Sequence, residues 1–220
     1  LVGLAERISF LRNSNFGLLW DVESKPAADS LAYTSHPLTP HTDLVSRAEQ
    51  PGLQFLHCLV FDAAGGDSTL VDGFACAEAL RAADPGAFAT LTSTPVPYHY
   101  RSRNCDVSAW SPMIRLDHRG ELDEVRYSNA LLAPLRVPPD RMSELYRAVR
   151  AFVALLRSDE FTLRFRLEPG DVMCFDNHRV LHGRDAFDPQ SGPRHLQGCY
   201  VDRDDFLSRL RLLDASPTPA

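Results

Sequence analysis

Apolar residues recur along this chain in two rhythms. At 53–61 (LQFLHCLVF) they are nearly continuous, which predicts a strand buried on both faces. A Gly65-Gly66-Asp67 turn and a short strand at 68–71 follow. Segments 94–103, 113–117 and 121–128 read as strands, the last two joined by a His118-Arg119-Gly120 hairpin turn. Segment 161–167 alternates as a strand does, Glu168-Pro169-Gly170-Asp171 is a turn, and 172–175 and 194–201 complete the strand set. The second rhythm is helical. Segments 73–83 and 85–91 read as short helices broken at Asp84-Pro85, because a residue before proline disfavours helical backbone. Pro138-Pro139-Asp140 announces a longer helix that Asp140 is expected to cap. Met142, Leu145, Tyr146, Val149, Phe152, Val153 and Leu156 then fall on one apolar face, read as core. A last helix is expected at 204–213. Many strands with a few helices between them predict a mainly β chain with flanking helices: a double-stranded β-helix of jelly-roll type. The order of elements alone leaves other α+β folds open.

The bulk properties narrow the function classes. A chain of 220 residues needs only one domain, expected here at 1–214 with a Pro- and Ala-rich tail at 215–220. With 44% hydrophobic and 24% charged residues it is globular, not disordered. A net charge of -6 without a Lys/Arg run argues against nucleic acid or an anionic membrane as partner. No apolar stretch approaches the roughly 18 residues of a membrane span. Five scattered cysteines without a C-x-x-C pair indicate neither a disulfide framework nor a zinc knuckle, and a cytoplasmic, reducing compartment is expected. The chain opens on Leu1 and its first methionine is Met113, so an absent N-terminal portion is expected; the opening residues lack the form of a signal peptide.

His41-Thr42-Asp43 changes the picture. In an extended segment residues i and i+2 point the same way, so one imidazole and one carboxylate can meet a single ion. With His182 they make two His and one carboxylate, the ligand set of non-haem Fe(II) oxygenases, with coordination positions left open for co-substrate and O2. The spacing alone also fits a loop with a capping Asp and a hydrogen-bonded His182. A structural zinc site is a third reading, although two His and one Asp without cysteine suit an open site better.

Around these residues stand Ala32-Tyr33-Thr34, Gly65-Gly66-Asp67-Ser68 and Val71-Asp72-Gly73-Phe74. Further on come Pro169-Gly170-Asp171-Val172, Phe175-Asp176-Asn177, Val180-Leu181-His182-Gly183-Arg184, Arg194-His195-Leu196 and Gly198-Cys199-Tyr200. In this order, from about Asn13 to Leu213, the chain resembles the gamma-butyrobetaine and trimethyllysine dioxygenase family, relatives of taurine dioxygenase. The resemblance implies an Fe(II)- and 2-oxoglutarate-dependent dioxygenase that uses O2, with ascorbate as an admissible reductant. Structural zinc is implied only in the family's N-terminal portion, which has no counterpart here. It implies that His41, Asp43 and His182 hold the iron, and that Arg194 with Ser68 holds the far carboxylate of 2-oxoglutarate. An Arg is suited to that task because its planar fork binds a carboxylate bidentately. Phe16, Trp20, Tyr33 and Tyr200 would surround a trimethylammonium head, which donates no hydrogen bond and is held by cation–π attraction. Asn129, with Ser30, would hold the anionic end. Asp72, Asp176 and Asn177 fit either partners of the metal ligands or turn and strand-end roles. Two positions depart from the family pattern: Leu44 stands where an aromatic closes the cage, and Ser30 where an Asn is usual. Trimethyllysine and trimethylammonium phosphonates or sulfonates therefore stay open beside gamma-butyrobetaine as substrate. A catalytically dead small-molecule-binding barrel is the non-enzyme alternative. The expected partner is a small molecule, with a homodimer among the admissible assemblies.

Overall fold

A computed structural model describes residues 1–23 and 33–215. In chain order the elements are α1 (Val2–Ala5), β1 (Trp20–Val22), β2 (Leu38–His41), β3 (Leu53–Phe61), β4 (Ala64–Gly65), β5 (Ser68–Asp72), α2 (Gly73–Ala83) and α3 (Pro85–Ser93). Then come β6 (Val96–Arg101), β7 (Asp106–Ser111), β8 (Ile114–Leu116), β9 (Leu122–Val125) and α4 (Pro139–Leu156). β10 (Thr162–Phe165), β11 (Val172–Asp176), β12 (Val180–Arg184), β13 (Phe187–Asp188), β14 (Arg194–Val201) and α5 (Arg203–Asp214) follow. Two four-stranded sheets, β1-β14-β3-β11 and β10-β5-β12-β2, form the barrel, and every pairing in them is antiparallel. This is the expected jelly-roll core.

The apolar run at 53–61 is continuous because both faces of β3 are covered. Toward the barrel interior, Leu56, Cys58 and Phe61 join Phe175, Leu196 and Leu167, with Leu70, Phe165, Met173 and Val180 packed against them. On the outer face, Leu53 and Phe55 meet Cys199 and Val201 under Ala5, Leu11 and Phe206. The other sheet turns Val71 and Leu181 outward into a larger core with Cys76, Leu80, Phe88, Leu91, Leu145 and Phe152 from α2, α3 and α4. Burying side chains of this size contributes about 1.5–3 kcal/mol each.

Local chemistry sets the helix starts. Asp72 ends β5 and caps α2, accepting from the Phe74 and Ala75 N–H groups at 3.0 and 3.2 Å. Asp84 accepts from the Ala87 N–H at 2.9 Å, and Pro85 opens α3. At α4 the expectation needs correction. Pro138 occupies the cap position without a side-chain bond, and Asp140 lies inside the first turn. There its carboxylate interacts with the helix dipole instead of capping. Tyr146 also leaves the expected apolar face, being 52% exposed, while Ala148 is buried on it. Strands β1, β2, β4, β7, β12 and β13 form where the hydrophobic pattern called for none. No helix among the described residues is long and apolar enough to cross a membrane.

Candidate metal centre and its pocket

The centre is built where β2 meets β12. His182 pairs with His41, yet Arg184 pairs with Leu38, so the register slips and β2 bulges. Pro40 lies in the bulge, where its missing N–H interrupts no ladder. Gly183, between His182 and Arg184, permits the approach: a Cβ there would stand 2.5 Å from the Leu38 carbonyl oxygen and 2.9 Å from Thr69 Oγ1. The bulge aims His41 at His182, their ring centroids 4.3 Å apart. Asp43 follows just beyond the strand. Its Oδ1 lies 3.5 Å from His41 Nε2 and its Oδ2 4.0 Å from His182 Nε2.

One donor atom from each of the three residues lies within 4.8 Å of the others, the only such group of His, Cys, Asp and Glu among the described residues. The donor set fits a divalent metal. His41 Nδ1 lies 2.9 Å from the Thr39 carbonyl, so its N–H donates there and leaves the Nε2 lone pair facing the centre. The His182 ring packs on Phe175, with centroids 5.1 Å apart, and its Nε2 is 3.4 Å from the amide nitrogen of Gln54. The Tyr200 hydroxyl donates to Asp43 Oδ2 at 2.7 Å. Asn177 grips the Asp43 backbone twice: its Oδ1 accepts from the N–H at 2.8 Å and its Nδ2 donates to the carbonyl at 3.2 Å. Asn177 therefore partners a candidate ligand. Asp72 serves instead as a helix cap, and Asp176 Oδ1 accepts from the His178 N–H.

The electrostatics of Asp43 and His182 match this arrangement. Burial opposes ionisation of Asp43, but His182, His41 and the Tyr200 hydroxyl outweigh it and hold the carboxyl well below the usual range. Burial, together with neighbouring His41, pushes His182 down to about 4, which keeps it neutral and able to ligate. Burial also pulls His41 down, but Asp43 prevails and leaves it raised. Tyr200 is pushed up by burial and by Asp43, so it stays a donor.

A buried polar cluster supports the loop behind Asp43. The Thr42 hydroxyl donates to Gln50 Oε1 at 2.8 Å, and Gln50 Nε2 donates to Glu124 at 2.5 Å. Arg126 makes two bonds to Glu124 Oε1, at 3.0 and 2.9 Å, and its remaining donors reach the carbonyls of Val45, Arg47 and Ala48. Nothing in the residue types flagged this cluster beforehand. The available signal was two opposite charges at alternate positions, Glu124 and Arg126, inside a predicted strand.

A cavity of about 670 Å³ opens on the centre, with His41, Asp43, Phe16, Trp20, Tyr33, Tyr200 and Asn129 on its walls. Trp20 lies on Gly198, where an added Cβ would come within 2.2 Å of the indole, and its ring centroid is 5.1 Å from that of Tyr200. Phe16 stands apart from that pair, edge-on to Tyr100 at 6.0 Å. Asn129 is exposed at the rim, and Ser30 lies outside the described residues. Leu44 adopts φ +55, the one positive-φ residue other than glycine among the described residues, and joins the pocket wall. A branched side chain in this backbone region is strained, and such positions concentrate at functional sites.

Arg194 is 7% exposed and sits between the rings of Phe61 and Phe187, 4.8 and 5.7 Å from their centroids. Among the described residues its guanidinium makes one hydrogen bond, to the Gly66 carbonyl, long at 3.4 Å, and its Nε is buried without a partner. Burial pulls its pKa down to about 10, and no acidic side chain pairs with it among the described residues. Ser68 is buried and pairs with Arg184 across β5 and β12.

A jelly-roll barrel in which a His-x-Asp pair meets a distal His defines the class: a double-stranded β-helix with a candidate metal centre. The chain belongs to the taurine catabolism dioxygenase TauD, TfdA family, whose family model matches residues 2–200. It is 55% identical over 213 residues to gamma-butyrobetaine dioxygenase of a Pseudomonas species, covering 97% of this chain and 56% of that protein. The human gamma-butyrobetaine dioxygenase is 39% identical over 96% of this chain and 56% of its own length. A trimethyllysine dioxygenase from Meyerozyma guilliermondii is 34% identical over 98% of this chain and 55% of its own. The chain thus spans about half the length of these relatives. Among solved structures, a taurine dioxygenase from Burkholderia xenovorans superposes with a TM-score of 0.69 at 18% identity, covering 91% of this chain and 70% of that one. An asparagine oxygenase in complex with Fe(II), 3-hydroxyasparagine and succinate gives 0.66 at 21% identity, covering 84% and 56%. At these identities the superpositions speak to the fold.

Proposed function

We propose that the chain is the catalytic part of an Fe(II)- and 2-oxoglutarate-dependent dioxygenase that hydroxylates a small quaternary-ammonium zwitterion of the gamma-butyrobetaine type. The single observation that carries this reading is the joint presence of the converging His41, Asp43 and His182 and a buried Arg194 that has no acidic partner among the described residues. The first is the donor set of an oxygenase iron; the second fits a ligand that brings its own carboxylate. Bound together, Fe(II) and 2-oxoglutarate would let O2 be split between two products, one oxygen entering succinate as CO2 is lost and the other hydroxylating an unactivated C–H bond. The protein's share is positioning and exclusion of water. Tyr200 and Asn177 hold Asp43 in its ligating pose. Arg194 and Ser68 fix the far end of the co-substrate. Trp20 and Tyr200, with Phe16 and Tyr33, offer ring faces to a methylated ammonium, and Asn129 meets its anionic end.

Ascorbate as reductant and a zinc-binding N-terminal portion belong to the same reading and rest on the resemblance alone. The five free cysteines accord with a reducing, cytoplasmic setting. Leu44 in the wall favours a second reading within the class, in which a longer or differently charged methylated amine such as trimethyllysine fits the space beside an aliphatic residue. The test is a substrate panel on the full-length enzyme, scored by succinate release: gamma-butyrobetaine, trimethyllysine, trimethylaminoethyl phosphonate and their unmethylated amines. Methylated compounds are expected to be strongly preferred. Equal turnover of methylated and unmethylated amines contradicts the aromatic cage, and no succinate release from any of them contradicts the substrate class.

A further inference from the structure

A second buried arginine has no role in the reading above. Arg184 lies beyond His182 on β12, 5% exposed, and its guanidinium lies over the same phenyl ring, Phe187, as that of Arg194. Its Nη1 donates to the His36 carbonyl at 2.9 Å and its Nη2 to the Thr34 carbonyl. It therefore grips the backbone just ahead of β2. The residues on either side of that grip, Tyr33, Pro37 and Leu38, line the pocket. Like Arg194, Arg184 pairs with no acidic side chain among the described residues, and its Nε is buried without a partner. The two guanidinium groups share one ring: Arg184 is 4.8 Å and Arg194 5.7 Å from the Phe187 centroid.

Two like charges buried side by side repel, and burial deprives them of the water that would screen the repulsion. A ligand carboxylate on Arg194 offsets the repulsion felt by both. Arg184 differs from Arg194 in what it holds, because its donors are already committed to the pocket wall. Anything that settles its guanidinium also settles that backbone.

We propose that Arg184 is a positioning residue that couples the two subsites: an anion bound at Arg194 steadies Arg184, and Arg184 steadies the substrate-pocket wall at residues 34–36. The inference rests on the reading of Arg194 as the site of the 2-oxoglutarate carboxylate. Coupling of this kind is reciprocal, so each ligand tightens the other by the same factor.

The experiment is calorimetric titration of the full-length protein loaded with Mn(II), with gamma-butyrobetaine added in the absence and presence of saturating 2-oxoglutarate. In the unmodified protein, 2-oxoglutarate is expected to tighten gamma-butyrobetaine binding about 10-fold, within the usual range of such couplings. R184Q should bind 2-oxoglutarate about 10-fold more weakly and show coupling of less than about 2-fold. R184K keeps the charge but has no fork with which to hold two carbonyls. It should bind 2-oxoglutarate within about 3-fold of normal and still lose the coupling. A purely structural Arg184 would lower thermal stability without changing the coupling ratio. If R184Q does not fold, R184K decides. Full coupling in R184K, or none in the unmodified protein while it binds 2-oxoglutarate, overturns the inference. Failure of the unmodified metal-loaded protein to bind 2-oxoglutarate at all counts instead against the reading of Arg194.

Discussion

Arg126 and Arg194 are the same residue in nearly the same degree of burial, and their surroundings differ in one respect. Arg126 is electrostatically complete: Glu124 neutralises it and three backbone carbonyls take its remaining donors. Among the described residues Arg194 has two phenyl rings, one long hydrogen bond and no acidic partner. A buried charge without a partner costs several kcal/mol, and a fold retains it only where something offsets the cost. The first arginine is a strut that holds the loop behind Asp43. The second has the form of a binding group whose counter-charge arrives with the ligand.

That contrast can be broken or sharpened by substitution. The largest effect is expected at the candidate metal centre. D43A or H182A should abolish iron-dependent turnover and weaken Fe(II) binding while leaving the thermal unfolding midpoint near that of the parent, read by calorimetry and succinate assay. Full turnover by D43A would show that the metal is held elsewhere. Next comes the strut. R126A leaves Glu124 with only Arg115 and Gln50 and strips the Val45, Arg47 and Ala48 carbonyls of their donors, and should cost about 3–5 kcal/mol in denaturant unfolding. A loss confined to 2-oxoglutarate affinity, with stability intact, would remove the distinction between the two arginines.

R194A should do the reverse. It should weaken 2-oxoglutarate binding by about 2–5 kcal/mol, with R194K a partial rescue, while ligand-free stability holds or rises because an uncompensated charge has gone. Unchanged 2-oxoglutarate dependence would move the role to another cation. The smallest effect belongs to Asp72, whose D72A variant should lose about 1 kcal/mol with its helix cap. Burial works against ionisation of Asp72, but Arg179 and the Phe74 and Ala75 N–H groups prevail and hold its pKa below the usual value. A depressed carboxyl contributes stability above its unfolded pKa and loses it as pH falls through the folded one. The gap between D72A and its parent should therefore narrow below about pH 4, measured by unfolding across pH.

The elements that carry packing were legible in the sequence, and the elements that carry chemistry were less so. β3 and β14 were read to the residue, β3 because burial on both faces writes a nearly continuous apolar run. α2, α3 and α5 were read from periodicity and the Asp84-Pro85 break, and α4 was displaced only at its cap. β2 and β12 escaped the pattern. Each is short, one carries Pro40 and the other Gly183, and their inward positions hold histidine and arginine where a packing strand would hold valine or leucine. The features that hid these strands are those that bring His41 and His182 together. The His-x-Asp motif, by contrast, was visible without knowing the strand. Glu124, Arg126 and Gln50 stayed hidden because each is an ordinary polar residue until the fold buries it against the others.

The central claim is that the three ligands and Arg194 together hold Fe(II) and 2-oxoglutarate. Its most direct test is the visible spectrum of the full-length protein with both added under nitrogen. A weak charge-transfer band should appear only when both are present, vanish in D43A, and require far more 2-oxoglutarate in R194A. A band of equal strength in D43A, or no band in the unmodified protein at saturating iron and 2-oxoglutarate, would contradict the account.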